Sequence, residues 1–312
     1  MTRLRMPATP SRSMLDISPV VSVVIPACNA AWCVGKAIDS VLEQDYIDRE
    51  LIVVDDGSTD DTAAVLAGYG DRIRVVPKPN GGLASARNAG ILAARGSLVA
   101  FLDADDRWLP GKPGRQVELM DSRPDLGFSS TAARVEDTDG RLLNLWVGSE
   151  RNGSFLERLF GSHGDVPGSG SAVMVRRALF DSIGSFDESL RSLEDIDMWM
   201  RLAAVSAYDC IDEPLVVILK RPASMSRNLD VMRESAIRVM KKNRQLLPPE
   251  LRGGYWRACL AGIHGDYAKW RYRSGRRGLA LVDVTQLMWL APVARGRLGL
   301  GLLKDMALGR PL

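Results

Sequence analysis

A chain of 312 residues, 46% of them apolar and 25% charged, has the length for one large domain or two ordinary ones and the composition of a packed globular protein. Four scattered cysteines (Cys28, Cys33, Cys210, Cys259) exclude a disulfide framework, and with only two histidines no Cys/His zinc pattern can be built. The net charge of +3 conceals an asymmetry: residues 1–230 sum to −8 and residues 231–312 to +11, so an acidic body carries a basic tail suited to anionic lipid, nucleic acid or a phosphorylated substrate.

Met1 to Pro19 contains Arg3, Arg5 and Arg12 but no apolar core, which argues against a secretory signal and for a disordered leader over residues 1–19. Val20 to Ile25 is rich in β-branched residues and suits a strand buried on both faces. Val34, Ala37, Ile38, Val41 and Leu42 follow at helical spacing. A second strand, Glu50 to Val54, runs into Asp55-Asp56-Gly57-Ser58-Thr59-Asp60, where Ser58 or Thr59 is placed to cap a helix through Leu66. Arg72 to Val76 is a third strand, Leu83 to Ala94 a helix closed by Gly96, and Ser97 to Leu102 a fourth strand ending at Asp103. This alternation predicts an α/β fold with a doubly wound, mostly parallel sheet, whose ligands bind beyond the carboxyl ends of the strands. From Asp125 to Gly170 the pattern is mixed, with Gly/Ser-rich loops at Gly161–Gly164 and Gly168–Ser171. Ala172 to Val175 is a further strand, Ser192 to Ala204 a helix and Leu215 to Leu219 a closing strand. The expected organisation is a catalytic domain over 20–225 and a basic helical segment over 226–312.

Four clusters bear on chemistry, and each has an ordinary reading beside the functional one. Asp103-Ala-Asp105-Asp106 places two carboxylates at a strand end, where they suit a hard divalent cation that also bridges a diphosphate. The same spacing recurs at Asp137/Asp139 and Asp195/Asp197, so the pair alone reads equally as a solvated acidic turn. Asp55-Asp56 can accept hydrogen bonds from a ribose hydroxyl or a pyrimidine N–H, or simply favour a helix start. Asn80-Gly-Gly-Leu-Ala-Ser-Ala-Arg87-Asn88 lets backbone approach a ligand and supplies a cation for phosphate, yet matches neither the dinucleotide nor the P-loop fingerprint. In Ser192-Leu-Glu194-Asp195-Ile-Asp197-Met-Trp199-Met-Arg201, one carboxylate can be a general base; equally, Ser192 and Asp195 make a capping-box-like start and Asp197/Arg201 an ion pair one turn apart.

Taken in order, Val21–Asn29, Val54–Asp60, Asn80–Asn88, Phe101–Asp106, Gly184-Ser-Phe-Asp187 and Glu194-Asp195 with Trp199 and Arg201 resemble the family 2 inverting glycosyltransferases, over about residues 20–220. The resemblance implies the GT-A fold and transfer of a sugar from a nucleotide-diphosphate donor, with a UDP-sugar favoured, to a hydroxyl acceptor in polysaccharide or glycolipid assembly. It implies a nucleotide pocket lined by Pro26, Asn29, Asp56 and Arg87, with Asp56 reading the base. It implies Mg²⁺ or Mn²⁺ on Asp105, with Asp103 as a second ligand or a contact to the ribose, and Asp195 as catalytic base supported by Glu194, Trp199 and Arg201. Many members have an aromatic residue where this chain has Cys28, which leaves base stacking there without its usual partner. A sugar nucleotidyltransferase would carry a Gly-rich, Arg-containing loop after the first strand, which Ala27-Cys-Asn-Ala-Ala does not supply; a non-catalytic nucleotide-sugar-binding protein would most simply lack the acid pair or the base.

No stretch reaches the roughly 18 apolar residues of a spanning helix, since Asp283, Thr285, Gln286 and Pro292 interrupt Leu279–Ala294. The expectation is a cytoplasmic protein with reduced cysteines and, at most, peripheral contact at the inner membrane face, near a lipid-linked saccharide acceptor. Tyr255, Trp256, Tyr267, Trp270 and Tyr272 interleave with basic residues, but no nucleic-acid module accompanies them and no nucleic acid is expected. The tail reads either as a helical subdomain packed on the catalytic body or as a membrane-surface attachment.

Overall fold

The computed structural model describes residues 19–148, 154–162, 166–221 and 228–310. Most of the expected N-terminal leader and part of the Gly161–Gly164 loop lie outside them.

Strand β1 (Val21–Ala27) is buried along its whole length, as its β-branched run requires. Helix α1 (Val34–Leu42), β2 (Arg49–Asp56), α2 (Thr62–Ala67), β3 (Arg74–Lys78), α3 (Leu83–Ala93) and β4 (Leu98–Phe101) follow in the expected alternation. They form a parallel order β3-β2-β1-β4, in which the chain winds outward from β1 and then returns to its other side. That reversal is a topological switch point, and a crevice opens beyond the carboxyl ends of β1 and β4. The sheet then becomes mixed. β8 (Met174–Arg176) pairs antiparallel with both β4 and β6 (Leu126–Glu136), while β9 (Ala207–Leu219) runs parallel to β6. Edge strands β5 (Arg107–Trp108) and β7 (Leu142–Trp146) pair antiparallel with β9 and β6.

Side chains alternate between two cores. Val24, Ile52, Val54 and Phe101 face one side of the sheet; Val23, Ile25, Leu51 and Val53 face the other, against α1. Gly90 lets α3 sit on the first face, because a Cβ there would meet Val24 at 2.2 Å. The same core takes in Met198 and Trp199 of α8 (Glu194–Ala203), Val239 and Met240 of α9 (Leu229–Asn243), and Trp256, Leu260 and Ile263 of α10 (Gly254–Arg273). The basic helical segment therefore packs onto the body through α9 and α10. Helices α11 (Arg277–Leu290) and α12 (Gly296–Ala307) build a small separate core with α10 around Ala261, Ala268, Val284, Leu287 and Leu302.

Two local expectations fail for identifiable reasons. Ser58 and Thr59 do not cap α2, which starts at Thr62 without a side-chain cap; both engage Asn29 instead. Ser192 forms no capping box with Asp195, because Leu193 takes the N-cap position in a left-handed conformation (φ +60°).

Asp283, 0% exposed, joins three helices by accepting from Arg233 of α9 and from His264 and Arg271 of α10. Burial alone would raise its carboxyl, but the hydrogen bonds from His264 and Arg233 and the two guanidinium charges outweigh it and hold it below the usual value. Asp283→Asn should cost about 2–3 kcal/mol of stability at neutral pH, because buried Arg271 and half-buried Arg233 lose their shared counter-charge. A depressed folded value means that this contribution is full above the unfolded carboxyl value of about 3.9 and is lost as pH falls through the folded one. Wild type and variant should therefore converge in acid, which thermal melts at neutral and acidic pH will read.

Candidate active site

Among the described residues, three non-glycine residues have positive φ: Asn29 (+50°), Ser169 (+49°) and Leu193 (+60°). One follows β1, one contacts Asp195 and one immediately precedes Glu194. Side chains other than Asn and Asp rarely adopt this conformation, and all three positions lie in or beside the segments that carry the candidate residues.

Pro26 is buried within β1, and Asn29 stands exposed just beyond it. The Asn29 side chain accepts from the Thr59 N–H at 2.8 Å, and its own N–H donates to the Ser58 hydroxyl at 3.0 Å, joining the loops that follow β1 and β2. Asp56, at the end of β2, is only 2% exposed. Its carboxylate accepts from Lys78 at 2.6 Å and from the backbone N–H groups of Gly81 and Gly82 at 2.9 and 2.8 Å. It thus anchors the turn that opens α3, and its four lone-pair sites retain room for about one further donor.

Arg87, in the second turn of α3, is 1% exposed. Nη1 donates to Glu194 and Nη2 to Asp103, each at 2.8 Å, with the guanidinium over the Phe186 ring at 5.5 Å. Burial would weaken its charge, but Asp103, Glu194 and Asp195 hold it firmly protonated. Gly170 makes room for it, since a Cβ there would meet Nη2 at 2.8 Å. Arg87 is therefore tied to two carboxylates rather than presented to a phosphate. Burial raises the Glu194 carboxyl above its ordinary value, with Arg87 opposing and Asp195 and Asp103 adding to the rise.

Asp103 and Asp105 keep 28% and 26% of their side-chain surface. Arg221, just past β9, donates to Asp105 at 2.8 Å and lies 4.5 Å over the Trp32 ring. Asp106 points inward and accepts from the Ser171 hydroxyl and the Leu219 N–H. Burial, then the charges of Asp103 and Asp105, push its carboxyl well above the usual range. The short helix α6 (Ser169–Ala172) serves both acidic clusters: Ser171 accepts from the Asp103 N–H at 3.0 Å, and the Ser169 hydroxyl donates to Asp195 at 2.7 Å.

Asp195 is half-buried on the wall of an open cleft of about 480 Å³, formed also by Trp146, Val147, Pro167, Ser169 and Trp199. Trp199 is fully buried, stacked on Phe128 at 6.0 Å. Arg201 pairs with Asp197 at 3.0 Å and donates to the carbonyls of Ile183, Gly184 and Ser185. It braces the Gly184–Asp187 loop, which brings Phe186 against Arg87; the ion pair one turn apart is real, and its role is support.

Helix α3 thus joins the set. Asp56 holds its start and Arg87, one turn on, holds Asp103 and Glu194, so the second, third and fourth clusters and the acid pair meet at one crevice. Sequence reading did not find Lys78, Ser169, Ser171 or Arg221. The two serines lay in a Gly/Ser-rich stretch with nothing to single them out.

Among the described residues no group of three or more His, Cys, Asp or Glu stands ready to hold a metal alone. Two part-exposed carboxylates are, however, the donor set a hard divalent cation uses when substrate phosphates complete its shell. Asp103 and Asp105 fit that role, each with one oxygen steadied by an arginine.

A mostly parallel sheet with acids at the strand ends around a switch-point crevice is an arrangement that solved structures share. TarS of S. aureus (residues 1–349, in complex with UDP-GlcNAc) superposes with a TM-score of 0.60 at 17% identity, covering 93% of this chain and 92% of that one. A mannosyltransferase from Pyrobaculum calidifontis, in complex with GDP-Man and Mn²⁺, gives 0.58 at 19% identity over 93% and 81%. The fold is of the GT-A type.

The family model "Glycosyl transferase family 2" matches residues 22–184, and the chain belongs to that family. An uncharacterized glycosyltransferase of Rickettsia prowazekii is 35% identical over 202 residues, 64% of this chain and 63% of the relative, so the match leaves over a third of that protein uncovered. A Bacillus subtilis protein named for teichuronic acid biosynthesis, also as a glycosyltransferase, is 33% identical over 209 residues, 64% of this chain and 80% of its own.

Proposed function

We propose that this chain is an inverting glycosyltransferase that moves a sugar from a nucleotide-diphosphate donor to a hydroxyl acceptor. The observation that carries the reading is Arg87, which clasps Asp103 of the strand-end pair and Glu194 of the helix-start pair, each at 2.8 Å. It makes one site of two clusters that sequence places 91 residues apart.

In this reading residues 20–225 form the catalytic unit and the helices after 226 complete the core on the Val24–Phe101 face of its sheet. Pro26, Asn29 and Asp56 line the nucleotide end, with Asp56 and the Gly81–Gly82 turn facing the base, and Arg87 acts by positioning carboxylates. Asp105 and Asp103 would hold Mg²⁺ or Mn²⁺, which when bound would neutralise charge on the departing diphosphate. Asp195 takes the proton of the acceptor hydroxyl. The freed oxygen attacks the anomeric carbon from the side opposite the leaving group, the bond to the diphosphate oxygen breaks, and configuration inverts. The two solved neighbours are complexes with UDP-GlcNAc and GDP-Man, which supports a sugar nucleotide, and a UDP-sugar is the first choice. The cleft at Asp195 receives the acceptor. Its Leu145–Trp146–Val147 wall is apolar, which suits a sugar face or a lipid-linked saccharide, and the teichuronic acid relative supports a place in polysaccharide assembly. We place the reaction on the cytosolic side of the membrane.

The test is calorimetry and turnover across UDP- and GDP-sugars. Binding should require Mn²⁺ or Mg²⁺, and chelation should abolish transfer. Asp105→Ala should weaken metal-dependent donor binding by about tenfold to a hundredfold while leaving the melting temperature without donor little changed. Equal donor affinity with and without metal, in both proteins, would remove the acid pair from the mechanism.

A further inference from the structure

Sugar transfer leaves one surface unused, the outer side of α11 and α12. Their inner sides supply Val284, Leu287 and Leu302 to the small core, yet the outer sides carry large apolar groups as well, beside exposed Thr285 and Gln286. Val282 and Trp289 lie seven residues apart on α11, one face of a helix, and Trp289 is 78% exposed. At the corner between the helices Val293, beside Pro292, is 96% exposed; Leu300 then stands out from α12. Exposed apolar groups are common singly, but a tryptophan and a valine projecting together from a corner are not explained by packing.

The charges on the same helices are one-sided. Arg277, Arg297 and Lys304 are exposed, and neither Arg297 nor Lys304 has an ion pair among the described residues. Of the acids on these helices, Asp283 is buried in its network and Asp305 lies 3.8 Å from Arg310. Residues 231–312 as a whole carry +11. No helix of the described residues is long and apolar enough to cross a membrane, so this face can lie on a bilayer but not traverse it.

We propose that the α11–α12 face docks on a membrane surface rich in anionic lipid, with Trp289 and Val293 entering the headgroup layer and Arg297 and Lys304 meeting lipid phosphates. Charge complementarity selects this occupant: an apolar protein partner gains nothing from unpaired cations, whereas a bilayer with anionic headgroups satisfies both at once. On the proposed function, docking would keep the enzyme at the surface that carries a lipid-linked acceptor.

The test is co-sedimentation of the full chain, without donor, with vesicles of phosphatidylcholine alone or mixed with phosphatidylglycerol. The chain should pellet with the anionic vesicles, far less with the neutral ones, and less as salt rises. Arg297→Gln with Lys304→Gln should lower the partition coefficient about thirtyfold, taking about 1 kcal/mol per cation. Trp289→Ser with Val293→Ser should lower it at least tenfold. All four side chains are exposed, so unchanged melting temperatures will show the fold intact. Equal pelleting of wild type and both variants would overturn the proposal. So would concentration-dependent dimerisation abolished by Trp289→Ser without vesicle binding, or binding to an oligonucleotide but not to vesicles. None of these outcomes touches sugar transfer, which is measured with water-soluble substrates.

Discussion

Asp195→Asn should reduce turnover by about a thousandfold, within the 10²–10⁴ that a positioned general base contributes, while donor affinity stays within about twofold of wild type. The geometry explains the split. Asp195 lies on the wall of a cleft that neither Asn29 nor Asp56 lines, so its loss should remove proton transfer rather than donor contacts. Asparagine keeps the shape: the present carboxylate accepts from the Ser169 hydroxyl at 2.7 Å and the Ile196 N–H at 2.8 Å, and an amide can retain both contacts once the hydroxyl rotates. The melting temperature should therefore move little, and lost activity cannot be assigned to unfolding. Measured turnover within about tenfold of wild type would show that another group takes the proton.

Much of the architecture was readable because its signals are local. β1 is an unbroken buried run, and the three strand-end loops announce themselves as acids or amides directly after apolar strands. The mixed half of the sheet was not readable. β6 spans Leu126–Glu136, but Ser129, Ser130 and Thr131 in its middle are fully buried, so no alternation of polar and apolar residues marks it. The first half of β9 holds Asp209, Asp212 and Glu213, which hid all but its apolar end. Helix α4 (Lys112–Ser122) begins at Lys112-Pro113-Gly114, which looks like a break in sequence, although proline is tolerated in a first turn. The site divided in the same way. Residue types at strand ends were legible; which of them touch was not, because Arg87 reaches Glu194 across 107 positions and only the folded chain states that contact. Of the ordinary reading of Glu194–Arg201 the ion pair between Asp197 and Arg201 is present and the capping box is not, while Asp195 stands on the cleft wall.

Arg87→Met carries the largest expected effect on stability. Methionine matches the length of the arginine stem, so the loss is chiefly of charge, and two carboxylates lose the counterion they share beneath the crevice. Breaking such a buried pair costs about 3–5 kcal/mol, which for a chain of this size lowers the melting temperature by about 5–8 °C. The sign of the pH dependence separates this account from a packing defect. Without Arg87 only a backbone hydrogen bond opposes the burial that already raises Glu194, so its folded value climbs further above the unfolded value of about 4.3. A raised folded value favours the protonated folded state, so the deficit is small below the unfolded value and grows as pH rises towards the folded one. The variant should thus approach wild type in mild acid and fall away towards neutrality. Adding Glu194→Gln should recover part of the loss at neutral pH by removing one stranded charge. Arg87→Lys should not rescue, since one ammonium cannot span the two carboxylates as a guanidinium fork does. A deficit equal at all pH values and unchanged in the double variant would mean that Arg87 matters for its volume, and that the acid pair and the helix-start acids are held together by something else.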